Sequence, residues 1–290
     1  MADPLDIHPG MSAVASAYDG FVLDLWGVIH DGRTLYPGVV DCLDRLGKAG
    51  KSFVMLSNAP RRAPAIARSM GRMGMPAAFC RNIVSSGEAT FLSLKTRTDP
   101  WFAALGRRCL HIGPERDENL FEGIDIERVA AVAEAEFIVN TGPWEDGALV
   151  SDYEQMLADG AGRGLPMVCA NPDLEVIRGG KRIICAGALA ARYEALGGEV
   201  RYLGKPHRSI YDGCFELLGI ADHGRIAAIG DSLRTDIAGA EAAGIDSILV
   251  IGGLHGEAFG AAGAADGAIL AAACAEAGHM PTAAIPAFTW

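Results

Sequence analysis

The chain has 290 residues, half of them hydrophobic, which is enough for one large domain or two modest ones that fold unaided. Its formal net charge of -11 works against the basic surface that a phosphate backbone requires, so a nucleic-acid partner is disfavoured and a small anionic ligand needs a local positive site. The seven cysteines are an odd number with no C-x-x-C pair and read as reduced core thiols. The opening MADPLDIHPG lacks a basic segment followed by an apolar run, so no secretory leader is expected and the cytoplasm is the expected compartment.

In chain order, short runs rich in Val, Ile and Leu at residues 21–25, 52–56, 225–229 and 246–251 end in Gly, Ser or Asp turns and read as buried parallel strands. Between the first two, residues 38–49 place Val39, Leu43 and Leu46 on one face before Gly50, the spacing of an amphipathic helix with a glycine stop. That is a β-α-β unit. A second helix follows Asn58, and residues 209–218 and 236–243 supply two more. In the middle, RCLHIG, AEFIVNTG and LPMVCANPD read as three further strands, separated by helical stretches such as 151–158. Roughly 115 residues there are too many for a loop in one open sheet. The expectation is an α/β, doubly wound, mainly parallel core formed by residues 1–82 and 199–290, with a smaller α/β domain inserted at 83–198. The Ala-rich stretch 259–274 falls short of the ~18 apolar residues a membrane span needs and reads as a surface-packed helix.

Three familiar patterns fail on inspection. GKAGKS at residues 47–52 has Arg45 where a phosphate loop needs glycine, and it precedes a strand. GDSL at residues 230–233 lies late in the chain and no D-x-x-H follows, which leaves an esterase using Ser232 far behind. No G-x-G-x-x-G follows the first strand. Four polar sites remain, all at carboxyl ends of the core strands, where open α/β sheets bind ligands. Asp24 closes the first strand, and Ser57 and Asn58 leave the second just before a helix, a natural phosphate seat whose alternative is an ordinary N-cap. Lys205 is held in a Gly-Lys-Pro turn. Asp231 and Asp236 surround a strand-to-helix turn, and carboxylates gathered near Asp24 repel unless a cation joins them; oxygen-only ligation suits Mg²⁺.

The ordered set D…S-N…G-K-P…G-D-x-x-x-x-D resembles the haloacid dehalogenase superfamily, and the insertion, with CANPD and GALAARYEALGGEVRYLGKPH, resembles its class IIA branch with a C2-type cap. The resemblance covers nearly the whole chain. It implies a Mg²⁺-dependent hydrolase of a small phosphorylated metabolite, of the sugar-phosphate, nucleotide or pyridoxal-phosphate phosphatase kind. Asp24 would form an aspartyl phosphate, Ser57 and Lys205 would grip the phosphoryl oxygens, and Asp24, Asp231 and the Trp26 backbone carbonyl would bind the metal. Asp236 would support the metal or position Lys205. The resemblance leaves a homodimer through the cap open.

Trp26 departs from the pattern, which has a second aspartate there as general acid and base. Indole offers one N–H donor and no proton that titrates near neutrality. His30 or Asp31 on the same turn would replace it, or the substrate has a good leaving group, or the protein binds a phosphorylated metabolite without hydrolysing it, as a regulator. Asn171 and Asp173 form a turn that the resemblance places at the cap end, and His255 follows the last core strand.

Overall fold

Strand Gly20–Asp24 is buried at every position, because it lies in the middle of a sheet covered on both faces. The computed structural model describes residues 4–178, 181–253 and 266–290. Six strands form the first sheet in the order Ala283–Ile285, Asp246–Val250, Ile226–Gly230, Gly20–Asp24, Ser52–Ser57, Ile83–Ser85. Gly20–Asp24 pairs in parallel with Ile226–Gly230 on one side and Ser52–Ser57 on the other. The chain thus builds outward from the first strand to one edge and later returns on its other side. This reversal puts a topological switch point between the ends of Gly20–Asp24 and Ile226–Gly230, where side-by-side loops diverge and leave a crevice.

The expected helices pack on this sheet by their apolar stripes. Helix Val39–Lys48 buries Val39, Cys42, Leu43 and Leu46, and helix Ser209–Leu218 buries Ile210, Tyr211, Cys214, Phe215 and Leu218 before Gly219 ends it in a left-handed turn. The helix expected at 236–243 opens with a wider turn, Leu233–Ile237, before the α-helical Ala238–Ala243. The expected tail helix is Gly267–Ala277, and residues 254–265, including His255, lie outside the described residues. The seven cysteines form no disulfide; six are buried and Cys80 is half-buried. Among the described residues no helix is long and apolar enough to cross a membrane.

The second unit has its own five-stranded parallel sheet, in the order Val200–Tyr202, Met167–Cys169, Phe137–Asn140, Arg108–Ile112, Glu127–Val129, and an antiparallel hairpin of Glu175–Arg178 with Lys181–Ile184. Alternate residues face two cores. Leu110, Ile112, Ile138 and Met167 join Leu157, Leu189 and Tyr193 on one face, while Cys109, Phe137, Val139 and Val168 join Leu94, Phe102 and Leu105 on the other.

The chain divides into Met1–Ser57, Ile66–Val84 and Lys205–Trp290 against Asn58–Ala65 and Ser85–Gly204. This differs from the expected boundaries of 83 and 198 at both ends. Residues 200–202 stay with the inserted sheet, where Arg201 is registered with Val168 and the Leu203 amide donates to the Cys169 carbonyl. Residues 58–65 join it because the start of helix Ser86–Thr96 captures them: the Gly87 amide donates to the Ala59 carbonyl, and Glu88 binds the Ala63 amide and the Arg62 guanidinium.

Candidate active site

Asp24, Asp231 and Asp236 converge at the switch point of the six-stranded sheet. Each offers a carboxylate oxygen within 4.8 Å of the others, and none is more than 7% exposed. Asp24 and Asp231 arrive there because the strands that lead into them are hydrogen-bonded neighbours. Asp236 follows one turn later: its Oδ2 accepts the Ser232 amide at 3.1 Å, and Gly230 leaves its side chain the room a Cβ would fill. Lys205, 3% exposed, ion-pairs through Nζ with Asp24 Oδ1 and, at 2.6 Å, with Asp236 Oδ1.

Three carboxylates and one ammonium leave this pocket an excess of negative charge. Burial pushes the Asp24 carboxyl well above the ordinary carboxylate range; Lys205 pulls it back, while the neighbouring charges of Asp236 and Asp231 push the same way as burial. A cation shared by the carboxylates relieves that excess, and the donors are hard oxygens. The residues therefore fit a divalent metal held by Asp24 and Asp231, with Asp236 occupied by Lys205. Two glycines shape the seat of Asp231. A Cβ on Gly27, whose φ is +88°, would lie 1.9 Å from Asp231 Oδ2, and one on Gly253 would lie 2.2 Å from it. Asp231 thus rests one peptide unit from the Trp26 carbonyl, the third ligand that the motif resemblance implied. Sequence reading did not identify these two glycines, although each follows a core strand within a few residues, the position where close approach to a site matters. It also missed Tyr36, whose hydroxyl pKa is raised by burial and then by Asp231.

The loop after Asp24 is closed by its own polar side chains. His30 Nδ1 accepts the Gly32 amide at 3.1 Å, and Asp31 Oδ1 accepts the Arg33 and Thr34 amides at 2.8 Å each. Both side chains expected as stand-ins for the missing acid are therefore engaged in holding the turn. His30 is 8% exposed, and burial lowers its pKa to about 4, so the ring is neutral at pH 7 with its proton on Nε2. Exposed Asp31 is held below the usual carboxylate range by the Thr34 and Arg33 amides. The half-buried Trp26 indole lies edge-on to His30, ring centroids 5.7 Å apart, and covers Gly32 so closely that a Cβ there would fall 2.2 Å from Cη2.

Ser57, 6% exposed, ends the strand beside Asp24, whose register partner is Leu56. Asn58 belongs by its contacts to the second unit. Its amide nitrogen donates to Asp173 Oδ1 at 2.9 Å, its carbonyl oxygen accepts the Ser86 hydroxyl at 3.3 Å, and Asn171 Oδ1 accepts the Asp173 amide at 3.0 Å. The structure thus gathers Asn58, Asn171 and Asp173 into one network, in which Asn171 forms the expected turn.

Comparison with known proteins gives the family. The family model described as haloacid dehalogenase-like hydrolase matches residues 21–127, and one described as HAD-hydrolase-like matches 202–277. A solved hydrolase of the haloacid dehalogenase-like family from Brucella suis is 33% identical, covers 97% of this chain and 100% of its own, and has a TM-score of 0.82. The chain belongs to the haloacid dehalogenase-like family. The two matched segments of this haloacid dehalogenase-like protein carry Asp24, Ser57 and Lys205, Asp231, Asp236 respectively. Among curated relatives, D-glycerol 3-phosphate phosphatase of Mycobacterium tuberculosis is 28% identical over 253 residues, 84% of this chain and 66% of its own length. A solved glycerol phosphate phosphatase of M. tuberculosis in complex with calcium is 26% identical, with a TM-score of 0.62 over 83% of this chain and 68% of its own. A structure of a protein so named in complex with magnesium has a TM-score of 0.64 at 24% identity, covering 83% of this chain and 71% of its own.

Proposed function

We propose that the protein is a Mg²⁺-dependent phosphohydrolase acting on a small phosphorylated metabolite in the cytoplasm. The observation that carries this reading is the convergence of three buried carboxylates within 4.8 Å, with Lys205 paired to two of them, at a switch point. Asp24 and Asp231 would hold the metal with the Trp26 carbonyl, and Mg²⁺ would neutralise charge on the transferring phosphoryl group. Magnesium is favoured by an all-oxygen set with few protein ligands, and M. tuberculosis phosphatase structures with calcium and with magnesium support a divalent cation.

The Asp24 carboxylate then attacks phosphorus. The new O–P bond forms as the bond to the leaving oxygen breaks, giving an aspartyl phosphate that water later hydrolyses to inorganic phosphate and the original Asp24 carboxylate. Lys205 lets the anionic substrate approach an anionic nucleophile, and it grips the phosphoryl oxygens with Ser57. Asp236 holds the ammonium in place. The departing alkoxide still needs a proton, and indole has none to give near neutrality. That observation supports the second reading, a weakly active or non-hydrolytic phosphometabolite binder.

Phosphate release from an ester panel with and without Mg²⁺, for wild type and Asp24→Asn, tests the proposal. Metal-dependent release abolished in Asp24→Asn supports hydrolysis, whereas binding of phosphate analogues without release of phosphate from any ester makes the protein a binder. Trp26→Asp restores a titratable group two residues after the nucleophile. A gain of roughly 10²-fold in turnover on alkyl phosphates, with a smaller gain on p-nitrophenyl phosphate, shows that the missing acid limits the rate.

A further inference from the structure

Beside the seat of Asp231 the larger unit holds a cavity of about 310 Å³, partly open to solvent. The loop after Asp24 gives it Gly27, Val28 and Tyr36, the turn after strand Asp246–Val250 gives Gly252, and the segment 286–289 closes the other side. Val28 and Phe288 are at most 2% exposed, and among the described residues no charged side chain lines the space. Both walls are held by backbone hydrogen bonds. The Tyr36 amide donates to the Ile29 carbonyl at 3.0 Å, the Gly252 amide to the Pro286 carbonyl at 3.0 Å, and the Met11 amide to the Thr289 carbonyl at 2.7 Å. A Cβ on Gly10 would lie 2.8 Å from that last oxygen, so the segment is pressed in from outside as well. A space framed in this way is preformed, and its apolar lining gains packing only from an occupant.

Tyr36 supplies a polar handle. Its side chain is half-buried and its hydroxyl makes no hydrogen bond to another described residue. Burial, then the charges of Asp231 and Asp31, hold the phenol pKa up, so it stays a protonated donor at neutral pH. The same carboxylates disfavour an anion in the cavity.

We infer that this cavity is an effector site for a neutral, mainly apolar small molecule with one hydrogen-bond acceptor, received by the Tyr36 hydroxyl, and that its occupancy strengthens metal binding at Asp231. Two glycines carry the coupling. Gly27 lines the cavity and leaves Asp231 Oδ2 the room that its Cβ would fill, and Gly252 lines it one residue before Gly253, the other glycine of that seat. The cavity is formed in the conformation in which Asp231 is seated, so an occupant favours that conformation. The coupling arm rests on the proposed metal site; the binding arm does not.

The test titrates 4-fluoroacetophenone, a neutral aryl ketone, into the full chain by fluorine NMR, against the anion 4-fluorobenzoate. Wild type is compared with Tyr36→Phe, which keeps the ring and removes the donor, and with Ala287→Trp, which adds bulk at an exposed lining position. Wild type is expected to bind the ketone, Tyr36→Phe about five-fold more weakly, Ala287→Trp not at all, and wild type to bind the benzoate about ten-fold more weakly than the ketone. Calorimetry then gives a Mg²⁺ Kd about five-fold lower at saturating ketone, and by reciprocity a ketone Kd lower by the same factor in Mg²⁺. No binding to wild type, one ketone affinity in all three proteins, or benzoate bound as tightly as the ketone overturns the site. A Mg²⁺ Kd that the ketone leaves unchanged overturns the effector role. Should wild type bind no Mg²⁺, the metal reading fails and the fluorine titrations alone decide the cavity.

Discussion

Replacing Asp24 by Asn removes one charge from the carboxylate cluster while keeping its shape, and the expected result is a protein that is inactive yet more stable without metal. At a separation of 4.8 Å, each repulsion of Asp24 by Asp231 and Asp236 amounts to about 3.5 kcal/mol at an effective dielectric constant of ~20. The lost attraction to Lys205 is of comparable size to the two together, and the relieved burial of a carboxylate adds several kcal/mol. These terms leave a net gain that we place at about 1–3 kcal/mol, or roughly 2–6 °C in melting temperature. Its pH dependence follows from the raised pKa. An acid held above its unfolded value contributes stability that is fully present below that unfolded value and is lost as pH rises through the folded one. Wild type in chelator therefore loses this contribution as pH climbs above ~4, and the Asp24→Asn protein does not, so the two melting curves separate with rising pH. Calorimetric melts in EDTA from pH 4 to 8, repeated with Mg²⁺, measure it. A metal-free Asp24→Asn protein less stable than wild type at pH 8 would refute the charge argument, and Mg²⁺ stabilisation equal in both would refute Asp24 as a ligand.

Lys205→Met leaves Asp24 and Asp236 buried without their ammonium; denaturant unfolding in EDTA is expected to show a loss of about 3 kcal/mol, partly recovered with Mg²⁺, and phosphate release falls by at least ~10²-fold. Gly27→Ala places a methyl against Asp231 at a φ of +88°, so metal titration is expected to weaken by about ten-fold or more and chemical denaturation to show a cost of about 1–2 kcal/mol. For His30, burial lowers the pKa to about 4, so the protein loses stability as pH falls from ~6.5 towards that value. His30→Asn keeps an acceptor for the Gly32 amide, and its loss of stability across that window is expected to be shallower but not abolished, because burial also lowers the His111 pKa to about 4; an unchanged slope assigns the loss to another group.

The residues that close fully buried runs were the legible part of the site. Asp24 and Asp231 stand out because a carboxylate ending an apolar strand has few bland explanations once two such strands are neighbours, and Lys205 because glycine and proline fix its turn. Long-range pairings were not legible: Asn58 meets Asp173 across 115 positions, and nothing in either tripeptide announces the other. The edge strand Val200–Tyr202 was assigned to the wrong half because three residues with an exposed Arg201 give too short a pattern to reveal a sheet partner. Ala283–Ile285, short and small, lacks a strand signature altogether. His30 shows a different limit. Its residue type suits proton transfer, but whether Nδ1 faces a reactant or a backbone amide is decided by a loop closure that composition does not encode.

The places where the polypeptide leaves and re-enters its larger half have a practical meaning for domain exchange among relatives. The chain leaves after Ser57, returns at Ile66, leaves again after Val84 and returns at Lys205, so the first and last of the four crossings abut the side chains proposed to grip the phosphoryl group. A hybrid carrying another protein's residues 58–65 and 85–204 would alter the covalent neighbours of hydroxyl and ammonium alike. Transplanting selectivity in this scaffold therefore calls for matching the junction peptides as carefully as the recognition surface.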